Sequence, residues 1–188
     1  TITDNSADYV GGLLVYGELT LSRTIVSGNR AGVMPVGKEI YNEGTIIAGV
    51  HNVFGHAGFD DFTAFAGFAP SGSDVNATSD GANIPLGQIL DTTLADNGGP
   101  TLTHNLVLGS PALDMATDAD CLAFPSDGVD QRGATRPFDV VGQGNEVTDT
   151  CDAGAVEAES PIPFTPASVF MSARAAGTTG DGLDFGSE

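Results

Sequence analysis

The sequence repeats at its start, where ITDNSA (residues 2–7) aligns with VSGNRA (residues 26–31) at an offset of 24 residues. A third and looser copy ends in NVF (residues 52–54). The segments between the Asn positions include GGLLVYGELTLSRTIV (11–26) and EIYNEGTIIAGVHNVF (39–54), which alternate apolar and polar residues and turn at Gly or Asn. The repeat therefore consists of short strands and turns.

A period in the low twenties that is built from strands is what one coil of a parallel β-helix requires. Each coil holds about three short strands and three turns, and stacking buries one face of every strand. The recurrent Asn5 and Asn29 suit turns that tolerate left-handed backbone, and their amides can hydrogen-bond from coil to coil. A β-sandwich is the alternative, but copies with Asn and Ala in register favour the solenoid. The expected fold class is all-β, a parallel β-helix.

Composition sets the limits of the function. The 188 residues include 25 acidic and 6 basic side chains, for a net charge of −19, so the surface repels nucleic acid and anionic membranes. No apolar run approaches the 18 residues that a membrane span needs, and no signal peptide opens the chain. The chain begins inside a repeat, which predicts that it is part of a longer polypeptide.

Cys121 and Cys151 are the only cysteines. In a chain of strands and turns, a disulfide is favoured over a metal site, which would require more soft ligands. The bridge would close a loop of about 30 residues, and the chain-entropy model gives it a stabilisation of roughly 3–4 kcal/mol. It would also indicate an oxidising, extracellular compartment.

The segment LADNGGPTLTHNLVLGSPALD (94–114) contains two rigid turns around a partly alternating run. Asn97–Pro100 predicts a turn in which the glycines supply positive φ. Residues 101–108 predict a strand, and Gly109–Pro111 predict a second turn. Because the last coil of a solenoid exposes an unpaired edge, we expect this segment to be a terminal coil that closes the fold.

DQRGATRP (130–137) holds two of the five arginines. Among so many carboxylates, Arg132 and Arg136 favour a structural interpretation over a catalytic one. Each guanidinium can bridge carboxylates and cap exposed carbonyls. The predicted structural cap consists of Asp130, Arg132, Arg136 and Asp152, with Glu157 as a further partner and residues 151–157 as a short final strand.

Residues 57–93 predict a loop-rich insertion. Its phenylalanines recur every third residue, which predicts either a short helix that lays aromatic rings on the solenoid flank or a surface for sugar stacking: Phe59, Phe62, Phe65 and Phe68. Asn76-Ala77-Thr78 fits the glycosylation sequon.

Two family resemblances follow from these motifs. Gly11-Gly12-Leu13-Leu14, with the T-I-x-x-N and N-x-A units, resembles the right-handed β-helix repeats of polymorphic outer-membrane adhesins. The ordered set from Asn97 to Glu157 resembles the end of the β-helix in bacterial choice-of-anchor Q domain proteins. The resemblance covers roughly residues 1–158. It implies the C-terminal coils and cap of a right-handed parallel β-helix, in a secreted or surface-displayed protein.

The motifs do not predict an enzyme. A polysaccharide hydrolase needs paired carboxylates at fixed separation, and Asp60-Asp61 beside His56 is the only candidate. A lyase would have to use Lys38 or Arg30 as its base. The histidines lack metal-ligand spacing. We therefore expect a non-catalytic adhesin or structural component of a surface layer or filament, with a carbohydrate-active β-helix as the alternative.

Calcium is the one cofactor that the acidic loops suggest, because carboxylate oxygens are the ligands that Ca²⁺ prefers. The candidates are Asp74, Asp80, Asp118 and Asp120, but no calcium-binding loop motif selects among them. The expected partners are further copies or flanking modules of the same surface protein, or a carbohydrate. Neither nucleic acid nor membrane insertion is expected.

The predicted organisation has five parts. Residues 1–56 are β-helix repeats, 57–93 an insertion, and 94–158 the terminal coils with a disulfide-pinned cap. Residues 159–168 are a Pro-rich linker, and 169–188 open a further β module.

Overall fold

The computed structural model describes residues 1–123, 126–139 and 151–159. The predicted linker and β module therefore lie outside the described residues, apart from Glu159. The described strands are β1 (Ser6–Ala7), β2 (Leu13–Val15), β3 (Glu18–Leu21), β4 (Ile25–Val26), β5 (Arg30–Ala31), β6 (Ile40–Asn42), β7 (Thr45–Ala48), β8 (Val53–Phe54), β9 (Phe65–Ala66) and β10 (Val75–Asn76). The helices are α1 (Asp61–Ala64) and α2 (Asp118–Leu122), with a 3-10 turn at Leu86–Gln88.

These strands form four sheets in which each pairing is parallel: β1-β5, β10-β8-β4, β2-β6-β9 and β3-β7. Partners lie one repeat apart in sequence. Ile2 bridges Val26, and Ser6 pairs with Arg30, which are the two copies aligned in the sequence. The all-β class and the offset of the first repeat are therefore confirmed.

The predicted Asn ladder is also present. Asn5 Nδ2 donates to Asn29 Oδ1 at 2.9 Å, and Asn29 Oδ1 also accepts from Asn5 N–H at 3.2 Å. Asn52 occupies a comparable place, because its Oδ1 accepts from Thr24 N–H at 2.9 Å. Each amide thus satisfies a backbone group that a turn would otherwise leave unpaired.

The sheet β10-β8-β4 is buried on both faces. Strand side chains alternate in direction, so the neighbours Ile25 and Val26 enter different clusters of buried residues. Val26 packs with Ile40 and Phe65 of the facing sheet. Ile25 belongs instead to a cluster with apolar residues from later in the chain, which include Leu90, Leu106, Leu113 and Ala153. The core therefore lies on both sides of this sheet.

Residues 57–93, which the sequence predicted to be a loop-rich insertion, contain two short strands of the sheets. β9 extends the sheet of β6, and β10 extends the sheet of β8. The expected short helix exists as α1, but Phe62 is its only phenylalanine and is exposed. Phe65 is buried in β9, and Phe68 packs edge-on against it at 5.7 Å between ring centroids. The threefold spacing arises from a helix that passes into a strand.

Residues 94–114 do not extend the parallel ladder, which corrects the prediction of a terminal coil. Instead of a strand over 101–108, this segment makes isolated antiparallel bridges from Leu106 to Leu90 and from Thr103 to Ala95. It covers the outer face of β4 and β8 through the apolar contacts of Leu106 and Leu113. The turn prediction is confirmed, since Gly98 and Gly99 have φ of 93° and 80°.

The region around Cys151–Glu157 likewise forms no strand. Its one bridge is antiparallel, between Cys151 and Ala116. Gly154 N–H donates to the Arg23 carbonyl at 2.8 Å, and Gly154 approaches the Ile25 side chain closely. Side-chain hydrogen bonds and turns, and not a sheet, hold this segment in place.

Candidate functional site

The arginine cluster, defined here as Asp130, Arg132, Arg136, Asp152 and Glu157, joins the last two described segments. Arg132 Nε donates to Asp130 Oδ2 at 2.7 Å, and its Nη2 donates to the Glu157 carbonyl. Arg136 donates to the carbonyls of Asp152 and Gly154 at 3.2 and 2.8 Å. These are the carboxylate and carbonyl contacts expected from the sequence.

The carboxylates of the cluster bind backbone N–H groups. Asp152 accepts from Asp114 N–H at 2.8 Å and from Ala158 N–H at 2.7 Å. Glu157 accepts from Phe138 N–H at 2.9 Å and from Asp152 N–H at 3.1 Å. Because loop backbone has no ladder to satisfy it, these side chains replace secondary structure as the organising element.

Burial perturbs the pKa of each carboxylate. It raises the pKa of Asp152 to about 6, against the opposing effect of hydrogen bonds and Arg136. Burial and the neighbouring Asp152 charge raise the pKa of Glu157 to about 8. Burial also acts to raise the pKa of Asp130, but hydrogen bonds from Glu157, Arg132 and Ala134 outweigh it and lower that pKa. All three side chains are turned inward, toward backbone.

Cys121 and Cys151 lie beside this cluster and are joined as a disulfide, with their Cα atoms 6.0 Å apart. Both are fully buried. Within the described segments, Cys121, Cys151 and Glu157 form the one group of three potential metal ligands that approach one another within 4.8 Å. Two sulfurs bonded to each other offer no thiolate, so the disulfide accounts for this group.

The calcium candidates do not come together in the described part of the chain. Asp118 and Asp120 lie in the first turn of α2. Asp74 accepts from Asn52 Nδ2 at 2.8 Å, and Asp80 accepts from Asp61 N–H at 3.1 Å. The carboxylates of Asp74 and Asp80 therefore organise separate turns.

Asp60 and Asp61 are also engaged by the chain itself. Asp60 caps α1, because its Oδ1 accepts from Thr63 N–H at 2.7 Å. Asp61 Oδ1 accepts from Asn76 Nδ2 at 2.8 Å and from the Thr78 hydroxyl. The sequon residues Asn76 and Thr78 thus bind Asp61, and Thr78 is fully buried.

A second site was not predicted, and we call it the basic groove. It consists of two adjoining cavities of about 330 and 230 Å³, which share Arg30 and Leu86 as lining residues. Lys38, His56 and Phe59 line the first cavity, and Thr3, Asp4, Thr92 and His104 line the second. Two of the six Lys and Arg residues and two of the three histidines therefore meet in one concave surface.

Glu39 lies behind the wall of the groove and is fully buried. Its carboxylate accepts from Gly28 N–H at 2.7 Å, from Asn29 N–H at 3.1 Å and from Asn29 Nδ2 at 2.7 Å. Burial raises the pKa of Glu39 to about 7, against these hydrogen bonds. His56 Nε2 lies 3.7 Å from Glu39 Oε1.

His56 has a defined tautomer. Its Nδ1 accepts from Gly58 N–H at 3.0 Å, so the proton resides on Nε2 and faces Glu39. Burial, assisted by the charge of Arg30, lowers the pKa of His56. His56 thus lines the groove as a neutral ring backed by a carboxylate.

Sequence reasoning missed Glu39 because it precedes β6 with no motif around it. One signal in the sequence could have indicated the groove. Basic residues are scarce in this chain, yet Arg30, Lys38 and His56 lie within 27 residues of one another. Only the folded chain brings them to one surface, because Arg30, Lys38 and His56 lie in or beside strands of three different sheets.

Comparisons of the chain with protein-family models, curated proteins and solved structures give no match. Within the described residues, neither helix has the length and apolar character that a membrane span requires.

Proposed function

We propose that this chain is a stretch of right-handed parallel β-helix from an extracellular or cell-surface protein, acting as an adhesin or structural component. The repeated parallel register and the Asn5–Asn29 contact support the solenoid. The resemblance to choice-of-anchor Q domain proteins supplies the handedness. In this proposal, the described residues of 94–123, 126–139 and 151–158 close the flank of the solenoid.

The observation that carries a non-catalytic role is that the candidate hydrolase carboxylates, and the two cap arginines, serve the chain's own backbone and side chains. Asp60 caps a helix, and Asp61 holds Asn76 and Thr78. Arg132 is partly buried and Arg136 is buried, and both contact carbonyls and carboxylates. Groups with these partners would have to break them before they could take part in proton transfer to a substrate.

An extracellular location is supported by the disulfide, because such bridges persist in oxidising compartments. The net charge of −19 suits a solvated exterior surface. Ca²⁺ would bridge acidic surfaces of further copies or flanking modules, since like-charged surfaces repel one another at low salt. Sedimentation of the purified protein with Ca²⁺ or with a chelator tests that bridging, and identical sedimentation in both would contradict it.

The central test combines location and chemistry on the complete protein in its host. Protease treatment of intact cells should remove the epitope of this segment, and purified protein with Ca²⁺ should not degrade acidic polysaccharides. An epitope that becomes accessible only after lysis would contradict the surface proposal. Turnover that is abolished by Asp60→Ala or Asp61→Ala, but kept by Asp96→Ala, would establish the carbohydrate-active alternative instead.

A further inference from the structure

We propose that the basic groove binds a hydroxylated carboxylate, such as a sugar acid, with Arg30 and Lys38 holding the anion. This inference concerns binding alone and does not depend on the cell-surface location or on the solenoid handedness. It begins from the distribution of charge. Among the described residues that line the groove, Arg30 and Lys38 face a single carboxylate, Asp4, in a chain whose net charge is −19.

The two cations are available at the groove. Lys38 is half-buried, and its Nζ lies 5.1 Å from the centre of the Phe59 ring, which fixes the ammonium over an apolar surface. Arg30 forms an ion pair with Asp4 at 3.1 Å, and both side chains are more than half exposed. An exposed pair of this kind is weak, so a ligand carboxylate can replace Asp4 on the guanidinium.

The rest of the lining suits hydroxyl groups. Thr3 belongs to the lining of the second cavity, although its own Oγ1 is buried. His104 Nδ1 lies 2.8 Å from the Asp91 carbonyl and donates to it, which leaves Nε2 as an acceptor. Thr92 adds an exposed hydroxyl to the same cavity. A ligand with several hydroxyls can donate a hydrogen bond to His104 Nε2 and form another with the Thr92 hydroxyl.

Apolar contact completes the recognition surface. Leu86 lines both cavities, and Phe59 packs against His56 with 4.7 Å between ring centroids. Cavities of a few hundred cubic ångströms, with apolar walls and a few fixed polar groups, are typical of small-molecule sites. Gly58 N–H donates to His56 Nδ1 at 3.0 Å and fixes the ring, so this wall of the groove is formed before a ligand arrives.

The probes are galacturonate and trigalacturonate, titrated into the full chain and followed by amide chemical shifts. Both the methyl ester of galacturonate and propionate serve as controls, since one lacks the charge and the other the hydroxyls. We expect the acid to bind about tenfold more tightly than either control, as charge-assisted hydrogen bonds are lost with the ester. If the trimer binds more tightly than the monomer, the ligand is a segment of an acidic glycan. If the two bind equally, the ligand is a free sugar acid.

Variants distinguish a loss of contacts in the groove from a change in net charge and from misfolding. Lys38→Gln should weaken binding about tenfold, and Lys38→Arg should retain it. Thr20→Glu changes the net charge equally, but lies on the exposed side of β3 outside the groove lining, and should leave the affinity unchanged. Asp4→Asn should tighten binding about threefold by releasing Arg30, an increase that a misfolded variant cannot give.

The proposal is overturned if neither acid shifts the amides of groove residues, or if the methyl ester binds as tightly as the acid. It is also overturned if Lys38→Gln and Thr20→Glu weaken binding equally. Should Lys38→Gln fail to fold, Asp4→Asn and Lys38→Arg decide the question, and an unchanged affinity for Asp4→Asn would then count against the proposal.

Discussion

Individual buried carboxylates hold loop and turn backbone in place in this protein by accepting its N–H groups. Glu39 accepts three N–H groups from Gly28 and Asn29, and Asn29 in turn binds Asn5 of the preceding repeat. Glu39 therefore links the end of one repeat to the stacking contact of its neighbour. Glu39 stabilises the fold less through its charge than through the N–H donors that it satisfies, because an unpaired buried N–H is costly.

Replacing Glu39 should destabilise the protein more than replacing an exposed glutamate. Glu39→Ala leaves three donors unpaired in the interior, and we expect a loss of about 2–4 kcal/mol in the free energy of unfolding. Glu43→Ala removes an exposed carboxylate and should change stability by less than about 0.5 kcal/mol. Urea denaturation measures both. Equal losses in the two variants would show that the donors near Glu39 find water instead.

At the scale of elements, glycine turns permit the parallel strands to stack. Gly17 joins β2 to β3, and Gly44 joins β6 to β7 one repeat later. A Cβ on Gly44 would collide with the backbone of Tyr16 and Gly17, whereas a Cβ on Gly17 would meet no atom within 4 Å. The two glycines occupy equivalent positions in the sequence, but stacking requires glycine at Gly44 and not at Gly17.

Alanine substitution should therefore separate these two turns. Gly44→Ala forces the stacked turns apart, and we expect a cost of about 1–3 kcal/mol, as for other overpacked sites. Gly17→Ala should be neutral or slightly stabilising, because it also reduces the freedom of the unfolded chain. For a chain of this length each kcal/mol shifts Tm by about 2–4 °C, which thermal denaturation resolves. A lower Tm for Gly17→Ala than for Gly44→Ala would contradict this stacking order.

For the whole molecule, three buried carboxylates link stability to pH. Burial raises the pKa of Glu39 to about 7, that of Asp152 to about 6 and that of Glu157 to about 8, all above their unfolded values. Each group then favours the folded state most at pH below its unfolded pKa, and this contribution is lost as pH rises through the folded pKa. The lowered pKa values of His56 and of the Thr1 amino group act in the opposite direction, whereas the lowered pKa of Asp130 acts only below the ordinary pKa of an aspartate.

We therefore expect stability to fall between about pH 4 and pH 8 as these carboxylates ionise. The urea midpoint at constant ionic strength should be higher at pH 5 than at pH 8, and the −19 charge adds to the trend. Glu157→Gln should flatten the dependence, whereas Glu18→Gln, on an exposed strand position, should not. A midpoint that rises toward pH 8 would show that the backbone donors keep these carboxylates ionised in the folded state.

The sequence alone determined the class of structure and the period of its first repeat. Alternating short runs between Gly and Asn turns are local signals, so Ile2 and Val26 could be aligned before their parallel pairing was known. Pairing of Cys121 with Cys151 followed from their number, and the partners of Arg132 and Arg136 followed from charge.

Only the tertiary structure decided where the later segments lie and where the basic residues meet. Short strands such as β9 and β10 owe their existence to neighbours one repeat away, so the local pattern of residues 57–93 resembled a loop. Residues 94–114 pack on the outer face of β4 and β8 because Ile25 and Val53 are apolar on that face, which a single strand cannot reveal. Arg30, Lys38 and His56 lie in or beside strands of three different sheets, and they converge through the packing of those sheets, a long-range property that the order of residues does not display.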